Sequence, residues 1–306
     1  MLRFFIQRVA KGILTLFIVL VFVFIGARLT GDPFSVMYGE GLTRESLAAL
    51  NEKYGLDKPV AVQFQIYLKD MLKGDFGKSI VESRPVTGII LKDARETLRL
   101  GFWSFLFSVV SGILIGIQMS MRPQSRTTRL LNGLITVGYS VPGFIISIFL
   151  IFVFSYHLKL LPSMGMGSWK SYILPVLSLS AHSVAHIARY VRTSYMEILS
   201  RDYIRTARAK GLGERAVIFK HALRNILIPL TTVIGMLVID IFTGALFLET
   251  VFSWPGMGRR LVDSVMSKDY PVLQFGVICV SGFVILINLA IDLLYGIIDP
   301  RIRKEA

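Results

Sequence analysis

Two histidines, His182 and His186, stand four residues apart in a serine-rich apolar stretch, so they share one face of a helix. Such a pair can contribute to a metal site or meet a substrate group. However, a helix pair without a third ligand makes a poor metal site. The alternative is two packed or cavity-facing polar residues, and the sequence therefore predicts no metal centre.

An acidic residue, Asp240, interrupts another long apolar stretch. A charged side chain at membrane depth is costly, and it nearly always faces protein or water. Asp240 can therefore line a polar path and meet a cationic group, or it can pair with a helix of a partner subunit. The sequence leaves both interpretations open.

The run Gly77-Lys78-Ser79 is similar to the end of a phosphate-binding loop, but the required earlier glycine would stand where the chain has Leu72. An intramembrane enzyme would need a nucleophile with a base, or a complete metal set, and the two histidines alone fall short. The single cysteine, Cys279, supplies neither a disulfide framework nor a thiolate cluster. We therefore predict no catalytic residue and no cofactor on this chain.

The elements that position these residues are apolar enough to lie in a membrane. The chain has 306 residues, is 53% hydrophobic and has a mean hydropathy of +0.61, which is typical of an integral membrane protein. A net charge of +14 would suggest a nucleic-acid partner for a soluble protein. Here the charge is distributed by membrane side, so we predict a lipid bilayer as the surroundings and no nucleic acid.

Six apolar segments predict six transmembrane helices. They are Gly12–Ala27, Leu98–Met121, Asn132–Tyr156 with Pro142 inside, Tyr172–Arg192, Ile226–Leu248 and Val272–Ile298. No small-x-small cleavage site follows the first segment, so we expect it to stay uncleaved. The more basic of the short segments fall on one side, and the positive-inside rule places that side and both termini in the cytoplasm. Residues 30–97 are nearly balanced in charge and predict a small extracytoplasmic subdomain, with helical spacing in Glu45–Tyr54 and Val62–Leu72.

The most basic segment, residues 203–229, lies between two of these spans. Six of its side chains are positive against the single acid Glu214: Arg205, Arg208, Lys210, Arg215, Lys220 and Arg224. Good helix formers in Tyr203–Lys210 predict a short helix that ends at Gly211 and Gly213, and a second helix is predicted over Glu214–Leu223. Two small helices on the cytoplasmic side would form a surface that a soluble partner can bind.

The order of residues in this segment resembles the "EAA" coupling loop of bacterial ABC importer permeases. The version found in the dipeptide, oligopeptide and nickel group matches at Asp202-Tyr203, Arg205 to Leu212, His221 to Asn225 and Pro229. Arg205-Thr206-Ala207 stands where the general motif has Glu-Ala-Ala. The runs GDP, KYGLDKP and GDFGKS near the N-terminus, ETVFSWPGMG before DYP, and DLLYGIIDPRIR near the C-terminus are similar to the same group. The long segment after the first helix is typical of its B-type subunit.

This resemblance implies an all-α membrane protein with a type I ABC importer permease fold in the bacterial cytoplasmic (inner) membrane. The expected segments are 1–29, the tail and first helix; 30–97, the extracytoplasmic subdomain; 98–298, five helices with a coupling loop at about 193–225; and 299–306, a cytoplasmic tail. The implied partners are a C-type permease subunit in a heterodimer, two cytoplasmic ABC ATPases that bind ATP and Mg, and an extracytoplasmic binding protein. The implied role is uptake of di- or oligopeptides, with glutathione or nickel chelates as alternatives. A secondary transporter or channel is the alternative from another class, although Asp240 is the only ion-coupling candidate and no clear repeat is visible.

The resemblance also distributes candidate roles over the chain. Candidates for ATPase coupling are Tyr203, Arg205, Thr206, Ala207, Arg208, Ala209, Lys210, Gly211 and Leu212. Candidates for the translocation pathway are His182, His186 and Asp240, and candidates for an extracytoplasmic gate are Glu249, Trp254, Pro255 and Gly256. Trp254 and Pro255 have a second interpretation as an anchor at the membrane interface.

Overall fold

The computed structural model describes residues 2–29, 31, 34, 43–53, 55–213, 217 and 223–298. The helices in these residues are α1 (Leu2–Leu29), α2 (Arg44–Lys53), α3 (Val60–Leu72), α4 (Val86–Met121), α5 (Arg126–Ser140), α6 (Gly143–Leu150), α7 (Ile173–Leu199), α8 (Asp202–Ala209), α9 (Leu223–Val251), α10 (Met257–Met266) and α11 (Tyr270–Ile298). A π-helical segment, Ile151–His157, continues α6, and a 3₁₀ turn, Trp169–Tyr172, precedes α7. Contacts divide the chain into two compact units, Met1–Glu96 with Pro255–Ala306, and Thr97–Trp254.

The first unit pairs α1 with α11 and packs α3 against α1. Phe24 of α1 is buried, with its ring stacked 5.5 Å from Tyr67 and edge-on to Phe64 at 5.0 Å. The other side of α1 exposes large apolar side chains such as Phe22 and Leu14. This pattern suits a helix with one face on protein and the other on lipid.

An ion-pair network closes one end of the first unit. Arg260 of α10 donates through Nε to Asp93 Oδ2 at 2.6 Å and through a terminal nitrogen to Glu82 Oε1 at 2.7 Å. Burial disfavours a charged guanidinium, but the two carboxylates outweigh this effect, so the pKa of Arg260 is raised. Burial also opposes ionisation of Glu82, yet hydrogen bonds and charge from Arg84 and Arg260 outweigh it and lower the pKa of Glu82.

The second unit is built around α7, which contacts α5, α6 and α9. Small residues allow α4 to approach α7 closely. A Cβ at Gly116 would lie 2.7 Å from Val191 Cβ and 2.8 Å from the Ala188 carbonyl oxygen, and Gly112 is as tightly placed against Ile187. Val191 and Ala188 are fully buried, so this contact belongs to the core of the unit.

The predicted third span is interrupted rather than kinked at Pro142. The helices Arg126–Ser140 and Gly143–His157 meet at an angle of 118°. Proline disfavours helical backbone in the residue before it, and Val141 is extended, with φ −93° and ψ 127°. Pro142 is also extended, at ψ 139°, and serves as the N-cap of α6. The sequence predicts a single span with a proline kink, whereas the chain breaks into two helices at Pro142.

Within the described ranges, five helices are long and apolar enough to cross a membrane, and the bent pair makes a sixth if it counts as one span. All five extend beyond the predicted spans, and α1, for example, begins at Leu2 instead of Gly12. Helix α4 begins at Val86 instead of Leu98, and α7 continues to Leu199 instead of ending at Arg192. The predicted second basic helix, Glu214–Leu223, lies outside the described residues except at its end and at Val217.

Candidate functional site

The basic segment contains a short amphipathic helix, α8 (Asp202–Ala209), where the sequence predicts one. Only Ile204 and Ala207 of this helix are buried. They join a core cluster with Tyr195, Val217 and Ile226. The remaining predicted coupling residues are exposed: Tyr203, Arg205, Thr206, Arg208, Ala209, Lys210, Gly211 and Leu212. Helix α8 therefore rests on the unit by two apolar side chains and presents a cationic outer face.

The end of α8 is fixed by a turn that requires glycine. Gly211 has φ +77°, in the left-handed region that favours residues without a Cβ. Its N–H donates to the Arg208 carbonyl at 2.9 Å, and the Leu212 N–H donates to the Ala207 carbonyl at 3.4 Å. These two bonds form a Schellman motif, which caps carbonyls at the end of a helix. The prediction that the helix ends at Gly211 is confirmed.

A cavity of about 270 Å³ brings together two of the three predicted pathway residues. His182 of α7 and Asp240 of α9 both line it, with Ser178, Ser183 and Gly143 among the other lining residues. Ser178 and Ser183 are themselves buried. Asp240 is itself exposed, so it lies at the open side of this cavity, beside the polar face of α7. This arrangement agrees with the general tendency of intramembrane acids to face protein or water.

The third predicted pathway residue, His186, lines a different and larger cavity of about 640 Å³. Its other lining residues are Tyr139, Arg189, Tyr190, Arg192, Thr193 and Met196. The Tyr139 ring stacks on His182 at 5.1 Å, and its centre lies 4.6 Å from the Arg189 guanidinium carbon. His182 and Arg189 are seven residues apart, which is about 10.5 Å along a helix. The Tyr139 ring therefore lies between His182 and Arg189 and contacts both.

Sequence reasoning missed Tyr139, Arg189 and Arg192 as cavity residues. Both arginines fall at the end of the predicted span Tyr172–Arg192, where the sequence assigns them no role, and they lie in α7 one and two turns after His186. The signal was available in the spacing, because positions 182, 186, 189 and 193 follow one helical face. Tyr139 carried no such signal, since its approach to α7 depends on the packing of α5.

Glu249 and Trp254, from the predicted gate, are both fully buried in the second unit. Thr97 Oγ1 donates to Glu249 Oε1 at 2.6 Å. The Trp254 ring packs edge-on against Tyr172 at 4.6 Å, and its backbone N–H donates to the Glu249 carbonyl. The interpretation of Trp254 as an interfacial anchor is wrong, because an anchor of that kind would be exposed to the membrane interface.

Pro255 and Gly256, the other two gate candidates, belong to the first unit. Gly256 is the N-cap of α10, with extended backbone. Pro255 precedes it directly in the sequence. Among the residues that the structure describes, no group of three His, Cys, Asp or Glu side chains is placed to hold a metal ion.

The chain matches the family model described as "binding-protein-dependent transport system inner membrane component" over residues 112–304. It also matches the model of the N-terminal part of this membrane component over residues 1–101. The chain therefore belongs to the family of binding-protein-dependent transport system inner membrane components. It is a multi-pass permease component of an ABC transport system, and this membership favours the permease interpretation over a secondary transporter or channel.

Relatives with established names support this family assignment along the whole chain. The glutathione transport system permease protein GsiC of Salmonella typhimurium (strain LT2) is 42% identical over 306 residues, covering 100% of both chains. The protein of the same name from Escherichia coli (strain K12) is 41% identical with the same coverage.

Solved structures of two ABC transporters share the fold. An inward-facing form of the MetNI methionine ABC transporter aligns with a TM-score of 0.58 at 19% identity, covering 70% of this chain and 97% of that one. An amino acid ABC transporter crystallised with histidines aligns with a TM-score of 0.54 at 16% identity, covering 70% and 94%. The predicted fold class, an all-α ABC importer permease, is confirmed.

Proposed function

We propose that this chain is one of two permease subunits of an importer for peptides, with the tripeptide glutathione as the first cargo to test. The observation that carries the proposal is the 42% identity, over the full length of both chains, to permeases named for glutathione transport. Peptides are also the cargo that the sequence motifs favour. In this assembly, the second permease subunit is a related C-type chain, and a separate extracytoplasmic protein delivers the cargo.

The energy for transport comes, in this proposal, from two ATPase subunits that bind ATP and Mg on the cytoplasmic side. Helix α8 is the part of this chain that contacts them. Its outer face carries Arg205 and Arg208, and Lys210 follows at its C-terminal end; these side chains can pair with acidic groups on a soluble partner. Its inner face packs into the core through Ile204 and Ala207. A helix fixed at its base in this way can transmit movement of the ATPases as a rigid-body change.

The orientation follows from charge. Short basic segments stay in the cytoplasm, so α8 and both termini lie on that side, and residues 30–97 lie outside. Cysteine labelling tests this part of the proposal in spheroplasts, with Cys279→Ser as the background. Gly213→Cys should resist a membrane-impermeant maleimide, whereas Leu72→Cys, 84% exposed in α3, should react. Reaction at position 213 in intact spheroplasts would reverse the orientation and remove the coupling role of α8.

Reconstitution tests the transport role. The chain is co-expressed with its C-type, ATPase and binding-protein partners, purified through a tag on this chain and placed in proteoliposomes. We expect the ATPase to co-purify and ATP to drive accumulation of glutathione or a dipeptide. A nickel chelate serves as the competing cargo. Failure of the ATPase to co-purify, or uptake of the nickel chelate alone, would contradict the proposed importer or its peptide cargo, respectively.

A further inference from the structure

The larger of the two polar cavities has the composition of an anion site. We propose that the cavity lined by Tyr139, His186, Arg189 and Arg192 binds a carboxylate of the cargo during its passage through the permease. This inference rests on the proposed function, since it assigns a role within the pathway for a peptide. It concerns recognition by the permease itself rather than by the extracytoplasmic binding protein.

The first argument is the position of the charges. Helix α7 contains all but the first residue of the predicted span Tyr172–Arg192, and Arg189 and Arg192 lie in the last turn of that span. Charged side chains near the end of a span reach the membrane interface or face a water-filled cavity. Both arginines line the same open cavity of about 640 Å³. That volume lies within the range of about 300–1,000 Å³ that is typical of small-molecule sites.

The second argument is the sign of the charge that lines the cavity. None of its seven lining residues is acidic, while two are arginines and one is a histidine. Arg192 is fixed by donating a hydrogen bond of 2.8 Å to Asn132 Oδ1. His186 Nδ1 is buried and has no hydrogen-bond partner among the described residues. The cavity therefore offers positive charge together with an imidazole that has no assigned polar partner.

The third argument is that the Arg189 side chain is held in place before any ligand arrives. Its guanidinium lies over the Tyr139 ring at 4.6 Å, and His182 stacks on that ring at 5.1 Å. An aromatic face orients the planar guanidinium and leaves its edge nitrogens available for a bidentate bond to a carboxylate. A site that is ordered in advance loses less entropy on binding.

The test uses the assembled permease–ATPase complex in nanodiscs without the binding protein, so that only the membrane part can select the ligand. The probes are glutathione and a glutathione derivative amidated at both carboxylates, that of glycine and the α-carboxylate of the γ-glutamyl residue, and binding is measured by titration into the millimolar range. Arg189→Gln should weaken binding of the free acid by about tenfold or more, because a charge-assisted hydrogen bond is lost. The same substitution should leave binding of the amide within about twofold, since each bond of this kind needs a carboxylate to receive it.

Arg129→Gln is the matched control. Arg129 is an exposed arginine of α5 that does not line the cavity, so its loss changes the net charge equally and should preserve the preference for acid over amide. Arg189→Lys retains the charge but not the planar fork. Its preference for the free acid over the amide should be several-fold smaller than that of the wild type. If Arg189→Gln does not assemble, the acid and the amide are compared on Arg189→Lys instead.

The outcomes separate this inference from the proposed function. Absence of ATP-driven uptake of any peptide by the wild type would contradict the proposed function. With wild-type uptake intact, three results would overturn the carboxylate site alone. These are no binding of the free acid at millimolar concentration, equal weakening of acid and amide by Arg189→Gln, and a binding loss that appears only in nanodiscs of anionic lipid. The last result would assign the arginine to lipid phosphate instead.

Discussion

Thr97 and Glu249 are 152 positions apart, yet the threonine hydroxyl donates a hydrogen bond of 2.6 Å to the glutamate carboxyl group, and both side chains are buried. The bond joins the start of the span within α4 to the end of α9. Carboxyl groups that are removed from water need hydrogen-bond donors, since burial without them is costly. Glu249 is therefore held in the second unit partly by this hydroxyl.

We expect Thr97→Val to lower the free energy of unfolding of the complex by about 1–3 kcal/mol, because it removes a donor from a buried acid while keeping the shape of the side chain. Thr97→Ser, which retains the hydroxyl, is the control and should lose less. Thermal unfolding of the purified complex in detergent measures both variants. Equal loss in the two variants would show that the methyl group matters and the hydrogen bond does not.

Replacement of Gly211 should damage the end of α8 without disturbing the spans. Gly211→Val places a β-branched residue at φ +77°, with an expected strain of about 1–3 kcal/mol. If α8 couples the ATPase to the spans as proposed, uptake in proteoliposomes should fall more than ATP hydrolysis. Gly213→Val is the matched control, since a Cβ at either glycine meets open space and Gly213 is not among the residues with positive φ. Normal uptake by Gly211→Val would count against the coupling role.

Loss of Arg260 should destabilise the first unit. Arg260→Gln removes the guanidinium from two carboxylates, one of which, Asp93, has a side chain only 4% exposed. We expect a cost of about 1–3 kcal/mol, below the value for a fully buried pair because Arg260 itself is 29% exposed. Its neighbour Arg259 pairs with Asp263 at 3.6 Å on the surface, so Arg259→Gln should cost no more than about 1 kcal/mol. If the two variants lose similar free energies of unfolding, the loss comes from the change in net charge and not from the ion-pair network.

The same network predicts a pH dependence. The pKa of Glu82 is lowered in the folded protein from an ordinary value of 4.5, so the folded state binds fewer protons than the unfolded state near that pH. The stabilisation is complete above pH 4.5 and is lost as the pH falls through the lowered value. Glu82→Gln should therefore reduce the decline in unfolding temperature below pH 4.5 relative to wild type. Between pH 6 and 8 the difference between the two proteins should stay constant, and an unchanged decline at acid pH would contradict this contribution.

Close packing of α4 on α7 makes Gly116 a sensitive position. Gly116→Leu should reduce assembly of the complex strongly, since even a Cβ would overlap Val191 and the Ala188 carbonyl. Gly133→Ala in α5 meets nothing within 4 Å and should be tolerated or stabilise the helix by about 1 kcal/mol. Yield and unfolding temperature of the complex compare the two variants. Normal assembly with leucine at position 116 would mean that α4 and α7 can separate at little cost.

Most helices could be predicted from the sequence because apolar runs and helix formers are local signals. The end of α8 at Gly211 is an example, since a glycine after good helix formers is a direct stop signal. The start of α4 was missed because residues 86–97 carry charges, and hydropathy marks the part of a helix that lies in lipid rather than the helix itself. At 36 residues, α4 is about 54 Å long, well beyond the roughly 30 Å hydrocarbon core.

The polar cavities were predictable only in part. His182 and His186 were found from their spacing on one helix, and Asp240 from its position in an apolar run. Their surroundings depend on tertiary packing, which sets Tyr139 of α5 against α7 and separates the two histidines into different cavities. The abrupt turn at Pro142 also escaped prediction, because a proline is compatible with either a kinked helix or a break, and the extended backbone of Val141 decides between them.

The division of α8 into a buried pair and an exposed remainder has an evolutionary consequence. Within α8 only Ile204 and Ala207 are buried, so in the proposed assembly substitutions at the outward positions would alter the affinity for the ATPase subunit with little effect on the fold. The ATPase partner could then change during evolution while the packing of the membrane helices is preserved. A chimera that keeps Ile204 and Ala207 and takes every outward side chain of α8 from a related permease should bind the ATPase subunit of that relative.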